Sequence, residues 1–223
     1  WVFYSMMPLL RLKNIAFTYP RSLPLFTNLS FEIFENEKIY IRGENGAGKT
    51  TLFSLIMGLL RPQKGDIIVK GKVIKNQKDL RYLRQTIGFL FQDPDDQLFC
   101  PTLLDDVLFG PLNRGINKEE AYEQAINVLK TLNIDNLAHT PPYALSGGQK
   151  RLGALAAVLA MKPDLLLLDE PSSGLDKRAW QNLVDVLNQL DMALIIASHD
   201  IPFLEHVTRR GYELSSGMLT FAQ

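Results

Sequence analysis

The chain has 223 residues, 46% of them hydrophobic, and its 24 Lys plus Arg are matched by 24 Asp plus Glu. This length supports one large domain, or two small lobes, around a sizeable core. Zero net charge argues against bulk nucleic-acid binding, which rests on neutralising phosphates with a basic surface. The lone cysteine, Cys100, excludes an intrachain disulfide framework, makes the reducing cytosol the default compartment, and reads as a structural thiol.

Trp1–Leu10 is apolar but has no basic stretch before it, so it is not read as a signal peptide. The chain opens on Trp1, so its first residues read as a tag remnant or a mis-assigned start, with Met6 or Met7 a candidate initiator, and whether residues 1–6 are native stays open at this point. No apolar run approaches the roughly 18–20 residues that span a bilayer. Leu9–Thr18, Leu29–Phe34 and Asp66–Ile74 carry strand patterns of an antiparallel layer. Lys38–Arg42, Thr86–Phe91, Leu165–Leu168 and Ala193–Ala197 are short and apolar, as strands of a parallel sheet covered on both faces are. Between them, Asn117 is an N-cap followed by Glu119 and Glu120, with Ala121, Ala125, Val128, Leu129 and Leu132 at helical spacing. A second helix starts after Ser146 and runs to about Met161. The reading is α/β, with a helical insert interrupting a core that resumes at Leu165.

Each of the four buried strands ends in a polar or glycine-rich group: the loop from Gly43, Gln92, Asp169–Glu170, and Ser198–His199. In open parallel sheets ligands bind beyond the carboxyl ends of the strands. Gly43–Glu44–Asn45–Gly46–Ala47–Gly48–Lys49–Thr50 fits G-x-x-x-x-G-K-[ST], whose glycines let successive N–H groups point at phosphate oxygens. A helix with Leu52, Leu55, Ile56 and Leu59 follows and adds its positive end. Lys49 supplies charge to the β and γ phosphates, Thr50 a hydroxyl to Mg²⁺, and Thr51 reaches the α phosphate. Asp169 holds the Mg²⁺ through water, and Glu170 polarises the attacking water. The loop alone leaves kinases, GTPases and other nucleotide enzymes open. Ser146–Gly147–Gly148–Gln149 forms a second unobstructed helix N-terminus, and one chain does not easily bring two such ends to one γ phosphate.

Leu145–Ser146–Gly147–Gly148–Gln149 resembles the signature of the ABC ATPases, and the resemblance covers nearly the whole chain. It implies a P-loop NTPase core with an antiparallel β subdomain and an inserted α-helical subdomain. The expected division is one domain over 1–223, with the core at about 7–91 and 161–223 and the helical part at about 92–160. The family likeness implies that Gln92 senses Mg²⁺ and water, that His199 holds the γ phosphate, and that Tyr19 stacks on adenine. It implies that Ser173–Gly174–Leu175–Asp176 links two active sites across a dimer. Read alone, Tyr19 is also an ordinary strand tyrosine and His199 a core histidine; His139 and His206 match no motif and read as surface residues.

Phe91–Gln92–Asp93–Pro94–Asp95–Asp96–Gln97–Leu98–Phe99 is similar to the ATPases of energy-coupling-factor importers of vitamins or cobalt and nickel ions. That likeness implies ATP and Mg²⁺ as cofactors. It implies a second ABC ATPase chain as partner, identical or a related paralogue, and integral-membrane transporter subunits at the cytoplasmic face of the membrane. No nucleic-acid partner is expected; the alternative is a soluble ABC ATPase of translation or DNA repair. Leu152–Gly153 depart from the family's usual Arg–Val, so the helix is expected to be softer or more closely packed there. The chain also ends soon after Leu214–Ser215–Ser216–Gly217, without the C-terminal region common in vitamin-type members, which favours a metal-ion type.

Overall fold

A computed structural model describes residues 7–222, so the expectations about residues 1–6 lie outside the described residues. Two sheets organise the chain. The first is antiparallel, in the order β2-β1-β4-β5, from β1 (Leu10–Thr18), β2 (Pro24–Ile33), β4 (Lys64–Val69) and β5 (Lys72–Val73). The second adds β3 (Lys38–Arg42), β6 (Ile87–Leu90), β7 (Leu165–Asp169), β8 (Ala193–Ala197), β9 (Gly211–Ser215) and β10 (Met218–Phe221), in the order β10-β9-β3-β8-β7-β6. Its strands run parallel except at β10, which returns antiparallel beside β9.

The apolar runs explain the layers. Along β7, Leu165 and Leu167 pack with the antiparallel sheet and α1 (Lys49–Ile56), while Leu166 and Leu168 face the opposite core. That opposite core joins α3 (Leu103–Asn113), α4 (Lys118–Thr131) and α5 (Gly147–Leu159) to α6 (Lys177–Gln189) and α7 (Ile201–Val207). A strand buried on both faces can be apolar throughout, and β7 and β8 are buried at every residue. The sheet order sets the ends of β3, β8, β7 and β6 side by side.

Several expected boundaries move. The helix after the glycine loop stops at Ile56, and Leu59 lies outside it, 51% exposed. Gly58, at φ 63°, ends the helix in the left-handed conformation that suits glycine, and its N–H donates to the Leu55 carbonyl. Asp66–Ile74 is two strands, because Lys70 and Gly71 both take positive φ in a tight hairpin turn. β2 begins earlier, at Pro24, and Thr86 closes α2 (Gln77–Thr86) rather than opening a strand.

Asn117 and Ser146 cap α4 and α5 as expected, Ser146 in a reciprocal capping box with Gln149. Of the two expectations for Gly153, close packing holds. A Cβ there would lie 2.6 Å from Leu103 Cδ1, on a fully buried residue of α3. Gly153→Val is therefore expected to lower stability by about 1–3 kcal/mol through overpacking, read as a drop in the thermal unfolding midpoint; an unchanged or raised midpoint would contradict the close approach.

Candidate active site

The loop from Gly43 to Gly48 leaves β3 and turns into α1. Gly46 and Gly48 take φ of 82° and 103°, a region that a side chain resists. Gly43 sits where a Cβ would meet the Leu214 carbonyl oxygen at 2.5 Å. The backbone thus curls around an opening onto which Asn45, Gly46, Gly48, Lys49, Thr50 and Thr51 face. Gln92, Asp169 and Glu170 close the same cleft, which has a volume of about 230 Å³. Three of the four expected strand ends therefore meet at this cleft, and the fourth, Ser198–His199, reaches it only through Glu170.

Lys49 folds back on the loop, its ammonium donating to the carbonyls of Gly43 at 2.7 Å and Glu44 at 3.2 Å. An ammonium has three donors, so one remains for an anion. Thr50 Oγ1 donates to Asp169 Oδ2 at 2.8 Å. Asp169 is 1% exposed, and burial, reinforced by the neighbouring Glu170, holds its carboxyl above the ordinary range despite the Thr50 hydroxyl.

Glu170 follows at φ 48°, a left-handed conformation that costs a non-glycine residue on the order of 1–3 kcal/mol and often marks a functional site. Its Oε2 accepts from the buried Ser198 hydroxyl at 2.9 Å and lies 2.9 Å from His199 Nδ1. Among the described residues no donor reaches Oε1. The His199 side chain is 73% exposed, so it is not a core histidine. Tyr19 follows β1 rather than lying within it, and its hydroxyl is 3.1 Å from Thr51 Oγ1, beside the start of α1.

The structure does not bring Ser146–Gln149 to this cleft. Ser146, Gly148 and Gln149 line a different one, with Asp176, Ala179 and Asn182. A Cβ on Gly147 would meet nothing, so that helix end is open to an incoming group. Ser173 and Gly174 are exposed, and Asp176 caps α6 by accepting from the Ala179 N–H at 2.8 Å. His139 and His206 are exposed, as expected. At Cys100 burial, then the neighbouring Asp106, pushes the thiol up to about 11, leaving little thiolate at neutral pH.

Arg151 escaped the sequence reading, while Ser198 and Gln97 stood in it only as members of longer motifs, without the contacts they make here. Gln97 accepts from the Phe91 N–H and donates to the Ala154 carbonyl, pinning the segment after β6 to α5. Arg151, 7% exposed, donates to the carbonyls of Glu170 and Gln92. Lys150 beside it on the same helix is also basic, so charge alone did not single it out.

The family model described as ABC transporter matches residues 26–173. The energy-coupling factor transporter ATP-binding protein EcfA of Methanocaldococcus jannaschii is 39% identical over 211 residues, 93% of this chain and 76% of that protein. Among solved structures, cbiO1 of Clostridium perfringens, described as part of the ABC transporter complex cbiONQ, superposes with a TM-score of 0.86 at 33% identity. That match covers 96% of this chain and 87% of cbiO1. A dimeric post-hydrolysis structure of the ATP-binding cassette MJ0796, bound to ADP and Pi, also reaches 0.86, at 27% identity, covering 96% of this chain and 98% of that one.

A buried carboxylate held above its ordinary value stabilises the fold less once it ionises. Stability from Asp169 is present below the ordinary carboxylate value of 3.8 and is lost as pH rises from there through the raised folded value. Asp169→Asn, without nucleotide, is therefore expected to be more stable than the parent at neutral pH, and no more stable near pH 4. Thermal unfolding at both pH values checks this; an Asn variant less stable at neutral pH would contradict it.

Proposed function

The chain belongs to the ABC transporter family of ATP-hydrolysing cassettes, and from that premise we propose that it is the ATP-binding subunit of an energy-coupling-factor importer. In this reading, the phosphates lie in the loop Gly43–Thr51, with Lys49 on the β and γ groups and Tyr19 against the adenine. Glu170 orients the attacking water through its free oxygen, and His199 turns from Glu170 to the γ phosphate. Such chemistry is mostly positioning and charge stabilisation.

Thr50, Asp169 and Gln92 would hold Mg²⁺. Among the described residues no group of three acidic, histidine or cysteine side chains is built to hold a metal alone. That fits a cation shared with nucleotide phosphates, which Mg²⁺ favours. The cation, when bound, neutralises charge on the β and γ phosphates.

The observation that carries the proposal is the separation of Ser146–Gln149 from the loop they would serve. A head-to-tail partner, a second copy or a related ATPase, brings its own Ser146–Gln149 equivalent to the γ phosphate, with Ser173–Asp176 between the sites. We read the chain as one domain with the core at about 7–91 and 161–223 and the helical part at about 92–160.

Docking to integral-membrane subunits is supported by a mostly apolar groove of about 390 Å³ beside Gln97, where Leu59, Phe99, Phe109 and Met161 meet. Phe99 and Phe109 stack edge to face there while 66% and 49% exposed. Among the described residues no helix is long and apolar enough to cross a membrane. A peripheral position on the cytoplasmic face follows from this docking. The likeness to cbiO1 and EcfA favours uptake of cobalt or nickel ions or a vitamin over a soluble role in translation or repair. The balanced charge also disfavours nucleic acid.

Glu170→Gln is expected to keep ATP binding and lose hydrolysis by about 100-fold or more, the usual weight of a positioned base. Steady-state phosphate release beside equilibrium ATP titration checks it. Undiminished turnover would remove Glu170 from the proposed role.

A further inference from the structure

Arg151 stands on α5 five residues after Ser146, so it belongs to the helix whose exposed end would serve a partner's nucleotide. Its guanidinium turns the other way, into the protein. One nitrogen donates to the Glu170 carbonyl at 3.2 Å and another to the Gln92 carbonyl at 2.8 Å. These two carbonyls belong to residues at the ends of β7 and β6, and both side chains line the phosphate cleft. A planar fork with several fixed donors suits two carbonyls held in this way.

The surroundings argue that the contact is more than packing. A charge taken out of water is costly unless paired and hydrogen-bonded. Burial accordingly lowers the Arg151 pKa, opposed by the acids Asp93, Glu170 and Asp169 around it. Gln97 makes a second bridge between the same two elements, and Lys150 pairs with Asp95 at 2.6 Å on the outside. Both of those bridges hold the segment after β6. Arg151 also grips the backbone of Glu170, whose left-handed conformation requires support from its surroundings.

We infer that Arg151 is a positioning residue for hydrolysis: it fixes Glu170 and Gln92 relative to α5, so that the helix end offered to one nucleotide sets the geometry around the other. The inference rests on the assignment of Glu170 and Gln92 made above. It follows that Arg151 acts on the turnover step and not on nucleotide capture, because among the described residues its guanidinium hydrogen-bonds go to Glu170 and Gln92 and none goes to the loop Gly43–Thr51.

The test uses the full chain with Arg151→Met, which keeps the apolar stem and deletes the donors, and Arg151→Lys, which restores a charge and part of the donor set. ATP affinity is read by equilibrium titration, and kcat and KM by phosphate release. Arg151→Met is expected to lose about 10- to 100-fold in kcat with ATP affinity nearly unchanged, and Arg151→Lys to recover part of that loss. A kcat in Arg151→Met within a factor of about 3 of the parent would overturn the inference. Equal losses of affinity, kcat and thermal stability in both variants would also overturn it, because they mark a packing role. Glu170→Gln is measured alongside. If it turns over normally, the underlying assignment fails and the inference with it; if it is inactive while Arg151→Met is not, only the inference fails.

Discussion

The Thr50 hydroxyl, donating to Asp169 Oδ2 at 2.8 Å, joins the two pieces of chain on which the site depends. One is the first turn of α1, set by a loop that only glycines can trace. The other is the end of a strand sealed on both faces by leucines. Neither piece is free to drift, since β7 is buried at every residue and α1 packs its apolar face beneath it. A carboxylate at that position is desolvated and unwelcome without a cation. In the proposed reading this is the use of the arrangement: the empty protein carries a small instability that Mg²⁺ and nucleotide relieve.

The next residue shows the same logic on the backbone. Glu170 is held in a left-handed conformation by its N–H on the Ala197 carbonyl, its side chain on Ser198 and its carbonyl on Arg151. Three elements, β8, α5 and the strand end itself, thus converge on one strained residue. The consequence is a carboxylate with one oxygen engaged and the other unclaimed. A base that must orient water needs that asymmetry. The same chain keeps Ser146–Gln149 at a different cleft, which in the proposed reading makes the two surfaces complementary halves rather than one closed pocket.

What the sequence made legible was whatever local chemistry dictates. The glycine loop, the buried strands ending in polar groups, and the caps Asn117 and Ser146 all depend on near neighbours, and all stand where their residues imply. The losses have physical reasons too. α3 was not singled out within the helical insert, and Pro111 is tolerated in its last turn. The β9–β10 hairpin was not read, although Ser216 and Gly217 make its turn with two positive φ values. The contacts of Ser198 and Arg151 with Glu170 could not be found by spacing, since they lie 28 and 19 residues from it and meet it only in the packed sheet. Gly153 was flagged as unusual, but only the approach of Leu103 decides that it packs rather than softens.

The central claim is that two chains complete each nucleotide site between them. Mixing two separately inactive variants tests this most directly: Lys49→Ala, which lacks the phosphate-binding amine, and Ser146→Arg, which blocks the exposed helix end. A mixed pair then contains one site with both halves unaltered, so ATP hydrolysis should reappear on mixing. Hydrolysis that stays at the level of the separate variants at every mixing ratio would contradict the claim.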